Sequence, residues 1–247
     1  AARAHGSRVA LVPTMGALHA GHEALLADAR RRADLVVMSL FVNPLQFGDA
    51  ADLAAYPHDE VADAAVAERR GVDVLFAPDA REMYPSGEPL VTVDPGPLGA
   101  RLEGASRPGH FRGVATVVAK LLHAVGPCVA VFGEKDAQQV AVIRRMVADL
   151  AFPVEVAVHP TVRDGDGLAR SSRNARLTAA QREAAACLFL GLSEAAALAR
   201  AGERDAARLV AAIAREVGAT PEARLDYAAI VDEATFEEVA KLDGPAR

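Results

Sequence analysis

The chain has 247 residues, of which 51% are hydrophobic and 24% are charged, and its formal net charge at pH 7 is −6. This length suffices for one large α/β domain and a smaller one, and the composition is typical of a folded globular protein. The acidic balance argues against an extended nucleic-acid surface, which needs clustered basic charge. Any anion site is therefore expected to be local.

The cysteines and the ends of the chain indicate its cellular compartment. Cys128 and Cys187 lie far apart and form no CxxC pair, so neither a disulfide framework nor a zinc site is predicted. No apolar run reaches the ~18–20 residues of a membrane span, and the run after residues 3–8 is too short for a signal peptide. We expect a cytoplasmic protein whose two ends have been trimmed.

Strand-like apolar runs alternate with helical patterns through the first two thirds of the chain. The strand-like runs are residues 9–12, 35–42, 72–76, 129–132 and 154–158, and the helical patterns are residues 23–33, 60–70, 114–125 and 137–150. This alternation predicts a doubly wound parallel sheet of the Rossmann-like α/β class. The dinucleotide motif GxGxxG and the P-loop motif do not occur, so phosphates must be held in another way.

The residue composition and the apolar pattern of the chain change near Thr161. A polar segment extends to Asn174, and Ala/Leu-rich helical patterns follow at residues 178–201 and 204–217, with a strand-like run at 225–231. We therefore predict a Rossmann-like domain of residues 1–161 and a smaller α/β domain of residues 162–247. The long Pro- and Gly-rich stretch of residues 78–108 is expected to be functional or mobile.

Two histidines open the first predicted helix. His19 and His22 follow a buried strand and a glycine-marked turn, and residues three apart share one face of a helical turn. Unpaired backbone N–H groups and the positive end of the helix dipole attract phosphate there. Gly21 allows close approach of a ligand. The segment therefore predicts a nucleotide site.

Polar turns also follow two other predicted strands. Asn43 and Gln46 flank a rigid turn and can either bind the oxygens of a small polar substrate or cap the turn. Lys135 stands between Glu134 and Asp136 at a helix start, where acids are favourable and a lysine is not unless an anion meets it. Phosphate binding is therefore the favoured interpretation of this turn.

Two further clusters leave alternatives open. Ser171 and Ser172 are flanked by Arg170 and Arg173 and preceded by a turn at residues 164–167 whose composition predicts flexibility. They suit either phosphate binding or a polar helix cap. The His110-Phe111-Arg112-Gly113 segment, with Glu103 and Arg107 upstream, suits either an acidic substrate or an anchored loop.

Together, the segments PTMGALHAGH, FVNPLQFG, LEGASRPGHFRG, FGEKDAQQ and DGLARSSRN resemble the ordered motifs of the pantothenate synthetase family. These enzymes are ATP-dependent ligases that join pantoate to β-alanine through a pantoyl adenylate, with release of pyrophosphate and AMP. The resemblance implies the fold of the HxGH nucleotidyl-transferring superfamily, with a C-terminal lid domain that is truncated here. It also implies a cytoplasmic homodimer that uses ATP and Mg²⁺, with neither nucleic acid nor membrane as partner.

The resemblance assigns residues to each ligand. His22, His19 and Lys135 are implied to be catalytic, with His22 at the position of the proton donor, and no protein ligand to a metal is implied. Gln46 and Gln139 correspond to the pantoate-binding glutamines, Gln46 also serving β-alanine, with Asn43, Glu103 and Arg107 in support. The residues implied to bind ATP are Met15, Gly16, Ala17, Leu18, His19, Ala20, Gly21, His22, Gly133, Glu134, Lys135, Asp136, Val162, Arg170, Ser171, Ser172 and Arg173.

Two positions depart from the family pattern. Arg170 stands where Met or Leu is common and Ala137 where a larger residue is frequent, so adenine packing and the helix start are expected to differ. The alternatives to the ligase are an adenylyltransferase of the same superfamily and a nucleotide-binding module without turnover. The two glutamines favour a polyol acid that carries no phosphate over a phosphorylated acceptor, which would require more basic charge.

Overall fold

A computed structural model describes residues 6–247. The chain divides into two compact units, of which the first ends at Thr161 and the second spans Val162–Arg247. None of the helices in the described part of the chain is both long and apolar enough to cross a membrane.

The first unit is built on a parallel sheet. Its strands are β1 (Val9–Thr14), β2 (Leu35–Leu40), β3 (Val74–Phe76), β4 (Cys128–Gly133) and β5 (Val154–His159), and they lie in the order β3-β2-β1-β4-β5. Every neighbouring pair is parallel. The chain moves outward from β1 to β3 and then returns to β4, so the strand order reverses between β1 and β4. Crevices at such switch points are the usual ligand sites of open α/β sheets.

The helices of this unit follow the strands in the predicted alternation. They are α1 (Ala20–Arg32), α2 (Ala50–Ala54), α3 (Glu60–Arg69), α4 (Ala80–Met83), α5 (Glu103–Ser106), α6 (His110–Val125) and α7 (Ala137–Asp149). Apolar clusters cover both faces of the sheet, one around Leu11, Leu122 and Ile143 and the other around Val12 and Leu26. Burial on both faces explains why β1 and β4 read as continuous apolar runs. The predicted α/β class with a parallel sheet is confirmed.

The stretch of residues 78–108 is fastened to the sheet domain. Tyr84 is buried in the core beside α6. Val93 N donates to Thr116 Oγ1 at 3.0 Å, and Gln138 Nε2 donates to the carbonyls of Leu98 and Arg101 at 3.0 and 2.8 Å. These contacts fasten a connection that includes α4 and α5 to the sheet domain, and the expectation that the stretch is functional or mobile stays a prediction.

The second unit contains α8 (Ala179–Ala184), α9 (Cys187–Arg200) and α10 (Ala206–Gly218), so the pattern at residues 178–201 forms two helices instead of one. The strand predicted at residues 225–231 is wrong. Within the described residues this segment forms only an isolated bridge at Val231. Its apolar side chains, among them Leu225 and Ile230, pack against the cluster that Leu209 and Val217 of α10 help to form. The alternating apolar residues of this segment therefore pack against helices and do not belong to a β-ladder.

Candidate active site

Three sequence-predicted segments meet at the carboxyl edge of the sheet. They follow β1, β2 and β4, which are adjacent in the strand order. The segments comprise Met15–His22, Asn43–Gln46 and Gly133–Asp136. Val162 and Arg170–Arg173 belong to the second unit.

The two histidines form the cap of α1. His19 is the N-cap residue, and its Nδ1 accepts the Gly21 N–H at 3.1 Å, while His22 Nδ1 accepts the His19 N–H at 3.3 Å. The ring centroids lie 4.1 Å apart. A neutral imidazole whose Nδ1 accepts a hydrogen bond carries its proton on Nε2. The backbone therefore selects the tautomer of both rings, with Nε2–H as the donor.

The electrostatic surroundings keep His22 uncharged. Burial is the main cause that lowers its pKa to about 3, and repulsion from His19 and Lys135 adds to burial while Asp136 opposes it. His22 is therefore a neutral hydrogen-bond donor at physiological pH. The influence of Lys135 and Asp136 on its pKa reflects the closeness of the turn after β4 to the start of α1.

Lys135 has a partner within its own turn. Glu134–Asp136 forms a short 3-10 turn between β4 and α7, and Lys135 Nζ lies 3.0 Å from Asp136 Oδ1. The two side chains are 38% and 56% exposed, and such pairs contribute only about 0–1 kcal/mol to stability. Gln139 follows in the first turn of α7 and is half-buried. The ion pair is too weak to explain by itself why a lysine stands at a helix start.

Asn43 organises the turn after β2. Its Nδ2 donates to Gln46 Oε1 at 3.0 Å and to the Gly113 carbonyl at 3.1 Å, and its Oδ1 accepts from the Tyr84 hydroxyl at 2.8 Å. Asn43 thus both caps the turn and orients Gln46. Gln46 Nε2 in turn lies 3.1 Å from Met15 Sδ. A predicted pantoate-binding side chain therefore touches the predicted ATP loop.

The close packing of α6 on this turn requires a glycine. A Cβ on Gly113 would lie 2.3 Å from the Leu45 carbonyl oxygen, which is far inside van der Waals contact. His110 Nδ1 donates to the Gln46 carbonyl at 2.8 Å, and burial lowers the pKa of His110. His110 is therefore an anchor of the loop, which was one of the two roles considered for its segment.

Arg107 and Glu103 lie around the same turn. Arg107 Nη2 donates to the Gln46 carbonyl at 3.4 Å, and Arg107 Nη1 contacts Glu103 Oε1 at the same distance. Asp52 is 3.9 Å from Arg107. The structure therefore gathers all three predicted supporting residues, Asn43, Glu103 and Arg107, around Gln46.

Removal of the Tyr84 hydroxyl tests this arrangement. We expect Tyr84→Phe to raise the KM for pantoate about two- to tenfold, since a neutral hydrogen bond contributes about 0.5–1.5 kcal/mol, and to leave the KM for ATP unchanged. Burial raises the pKa of Tyr84 to about 12, so the hydroxyl is a donor at any working pH. Steady-state kinetics of the variant give both constants. Tyr227→Phe, which removes a hydroxyl from the second unit, is the control, and an unaltered pantoate KM in folded Tyr84→Phe would contradict the role.

The second unit begins with a hairpin. Arg170 N donates to the Val162 carbonyl at 2.9 Å, and Asp164 N donates to the Leu168 carbonyl at 2.8 Å. Arg182 binds Asp164 at 2.9 Å and Asp166 at 2.6 Å. The turn at residues 164–167, expected from its composition to be flexible, is thus held by α8.

The Arg-Ser-Ser-Arg segment follows this hairpin. Arg170 pairs with Asp164, so its charge is balanced locally. Ser171 caps the short 3-10 helix Ser172–Arg176 and accepts the Arg173 N–H at 3.3 Å. The polar-cap alternative is therefore realised at Ser171, and this leaves phosphate binding by the segment a prediction.

Two residues that contact the site were missed in the sequence. Asp63 of α3 accepts hydrogen bonds from the loop before His19, and Tyr84 orients Asn43. A signal for Asp63 was present, because it is a charged residue on the same helical face as the buried Ala67. Tyr84 had no comparable signal, because it follows the four-residue helix α4, which is too short for a periodic pattern to show a buried face.

Comparison with known proteins shows to which family the chain belongs. The chain matches the family model described as pantoate-beta-alanine ligase over residues 1–246. The chain belongs to this family. A pantothenate synthetase of Acidothermus cellulolyticus is 57% identical over 231 residues, which make up 94% of this chain and 75% of that protein.

Solved structures agree with this result. A pantothenate synthetase from Thermus thermophilus has a TM-score of 0.92 at 50% identity, over 97% of this chain and 86% of that one. A Francisella tularensis pantoate-beta-alanine ligase, complexed with beta-gamma ATP and beta-alanine, has a TM-score of 0.75 at 38% identity, over 86% of this chain and 79% of that one. The activity is therefore ATP-dependent ligation of pantoate with β-alanine, and the resemblance found in the sequence is confirmed.

Proposed function

We propose that the ligase works in two steps at the edge formed by β1, β2 and β4. The pantoate carboxylate attacks the α-phosphorus of ATP, which forms pantoyl adenylate and releases pyrophosphate. The amine of β-alanine then attacks the acyl carbon, and AMP leaves as the amide forms. The contact of Gln46 with Met15, at 3.1 Å, supports this proposal most directly, because it joins the two predicted substrate sites.

His19, His22 and Lys135 are the proposed catalytic residues. Negative charge grows on phosphate oxygens as the α-phosphorus is attacked, and positioned donors lower the energy of that state without covalent chemistry. The Nε2–H groups of the two histidines and the N-terminus of α1 are such donors. Lys135 would exchange its weak pairing with Asp136 for phosphate. The remaining ATP-binding residues of this unit belong to the same two segments, Met15–His22 and Gly133–Asp136.

Gln46 and Gln139 are proposed to hold pantoate, and Gln46 also β-alanine. Amide side chains donate and accept, so they suit hydroxyl and carboxylate oxygens. Holding two reactants in one geometry converts an encounter in solution into a local step. Asn43, Glu103 and Arg107 are proposed to support Gln46, in keeping with their contacts to its side chain, its carbonyl or one another.

The second unit is proposed to be a lid over the nucleotide. Val162, Arg170, Ser171, Ser172 and Arg173 are assigned to adenine and phosphates on the family pattern. The pairing of Arg170 with Asp164 makes its backbone the more suitable contact for adenine. Ser172 and Arg173 carry the donors suited to phosphate oxygens.

Mg²⁺ is proposed to accompany ATP and to neutralise part of the phosphate charge. Mg²⁺ prefers oxygen ligands and is commonly bound through one or two carboxylates together with substrate phosphates. Asp136, which is more than half exposed at the sheet edge, offers such an oxygen. A cytoplasmic location is also proposed, in keeping with Cys128 and Cys187, which are buried and form no disulfide. The proposed homodimer follows the family pattern and is tested by sedimentation.

The order of the two steps is tested by partial reactions. We expect pyrophosphate release to require pantoate but not β-alanine, and AMP release to require both, because the adenylate must form before an amine can displace AMP. Product analysis after each omission measures this. Stoichiometric AMP release without an amine, or adenylate retained in the final product, would exclude the proposed order and favour an adenylyltransferase.

A further inference from the structure

We propose that Asp63 is a positioning residue that clamps the nucleotide loop in its active conformation. Asp63 lies on α3 and is 4% exposed. Its Oδ2 accepts the Ala17 N–H at 2.9 Å, and its Oδ1 accepts the Leu18 N–H at 2.8 Å. Both carboxylate oxygens therefore bind consecutive backbone donors immediately before His19.

The loop adopts a conformation that needs such a clamp. Ala17 has a φ of +50°, in the left-handed region that residues with a Cβ rarely adopt. Gly16 has a φ of +85°, and a Cβ there would lie 2.7 Å from Asp63 Oδ2. Strained backbone persists only where its surroundings hold it. The carboxylate and the glycine thus fit together as one arrangement.

Other contacts join the start of α1 to α3. Leu18 packs on the apolar cluster that contains Ala67 of α3. Arg70, the C-cap residue that follows α3, donates through Nε to Glu23 in the first turn of α1 at 2.7 Å. Helix α3 is therefore a platform for the loop, and Asp63 supplies its polar contact.

The clamp determines where the histidines lie. His19 caps α1 and its N–H binds His22, so the orientation of both rings depends on the backbone at residues 17 and 18. Without Asp63, Ala17 would relax toward ordinary φ values and would carry His19 with it. This inference rests on the proposed assignment of the loop to ATP phosphates.

Asp63→Asn tests the clamp, with Asp28→Asn as the matched control. Asparagine keeps the size of the side chain but turns an NH₂ group toward one of the two N–H donors. Asp28 is also a buried acid, 5% exposed, but it binds Arg31 and Arg32 of its own helix. Pantoate-dependent ATP–pyrophosphate exchange gives KM for ATP and pantoate, and thermal unfolding gives the stability of each variant.

We expect Asp63→Asn to lower kcat/KM for ATP at least about tenfold, in line with the strength of charge-assisted hydrogen bonds, with the pantoate KM within twofold of the parent. Asp28→Asn should change only the unfolding temperature. Adding Ala17→Gly to Asp63→Asn should restore part of the lost rate, because glycine adopts positive φ without strain. A kcat/KM for ATP within twofold of the parent, equal kinetic losses in both Asn variants, or no restoration by Ala17→Gly would overturn the clamp.

The parent protein supplies an independent measurement if Asp63→Asn does not fold. The amide protons of Ala17 and Leu18 should be protected from exchange with solvent, with and without ATP, because both are hydrogen-bonded to Asp63. Fast exchange at both residues would overturn the clamp. A parent that shows no pantoate-dependent exchange of pyrophosphate would instead overturn the proposed function, so the two failures are distinguishable.

Discussion

Lys135→Ala should lower pantoate-dependent ATP–pyrophosphate exchange about a hundredfold or more, because a charge aimed at the transition-state phosphates is worth about 3 kcal/mol or more. Its visible partner does not account for a loss of this size. Lys135 Nζ and Asp136 Oδ1 are 3.0 Å apart, and both side chains are exposed to solvent. Removing such a pair lowers the stability of a protein by only about 0–1 kcal/mol. A role in binding the transition-state phosphates and a role limited to the ion pair with Asp136 therefore predict losses of exchange rate that differ by orders of magnitude.

The measurement is made at saturating ATP and Mg²⁺ on the purified, folded variant. Lys241→Ala is the matched control, since Lys241 forms a similar exposed pair with Asp243 at 3.6 Å in the second unit. We expect the control to keep its exchange rate within about twofold, as for other exposed pairs. Exchange by Lys135→Ala within a few-fold of the parent would remove Lys135 from the mechanism.

For His22→Ala we expect a loss of ~10²–10⁴-fold in the rate of adenylate formation, the usual range for one positioned donor or acid. The pantoate KM should change little, because a donor to developing phosphate charge matters most in the transition state. The variant also loses the acceptor for the His19 N–H, so its folding must be verified. His123→Ala, which removes a ring that packs on Phe152 of the core, is the control.

The charge state of His22 sharpens this test. Burial lowers its pKa to about 3, so between pH 5 and 8 the free enzyme holds a neutral ring that donates through Nε2–H. His22→Gln retains an N–H donor and should therefore recover part of the rate, with a pH profile of kcat/KM for ATP parallel to that of the parent. Near-normal turnover of His22→Ala would show that the residue is structural.

Secondary structure was predictable where local chemistry decides it. The apolar runs of β1 and β4 and the helical periods of α6 and α7 are properties of short segments, and they appear within a few residues of their predicted bounds. The strand predicted at residues 225–231 does not form, because a strand also needs a neighbouring strand with which to pair its backbone groups. The apolar side chains of that segment pack against helices α9 and α10 instead.

The family, the α/β class and the segments that meet at the sheet edge could all be predicted, because motif residues and apolar periods are local features of the chain. How those segments are held could not be predicted, because it depends on contacts between residues that are distant in the chain. Asp63 reaches Leu18 across 45 residues, and Asn43 binds the Gly113 carbonyl across 70. No local pattern encodes such partners, since they depend on which helices the sheet brings together.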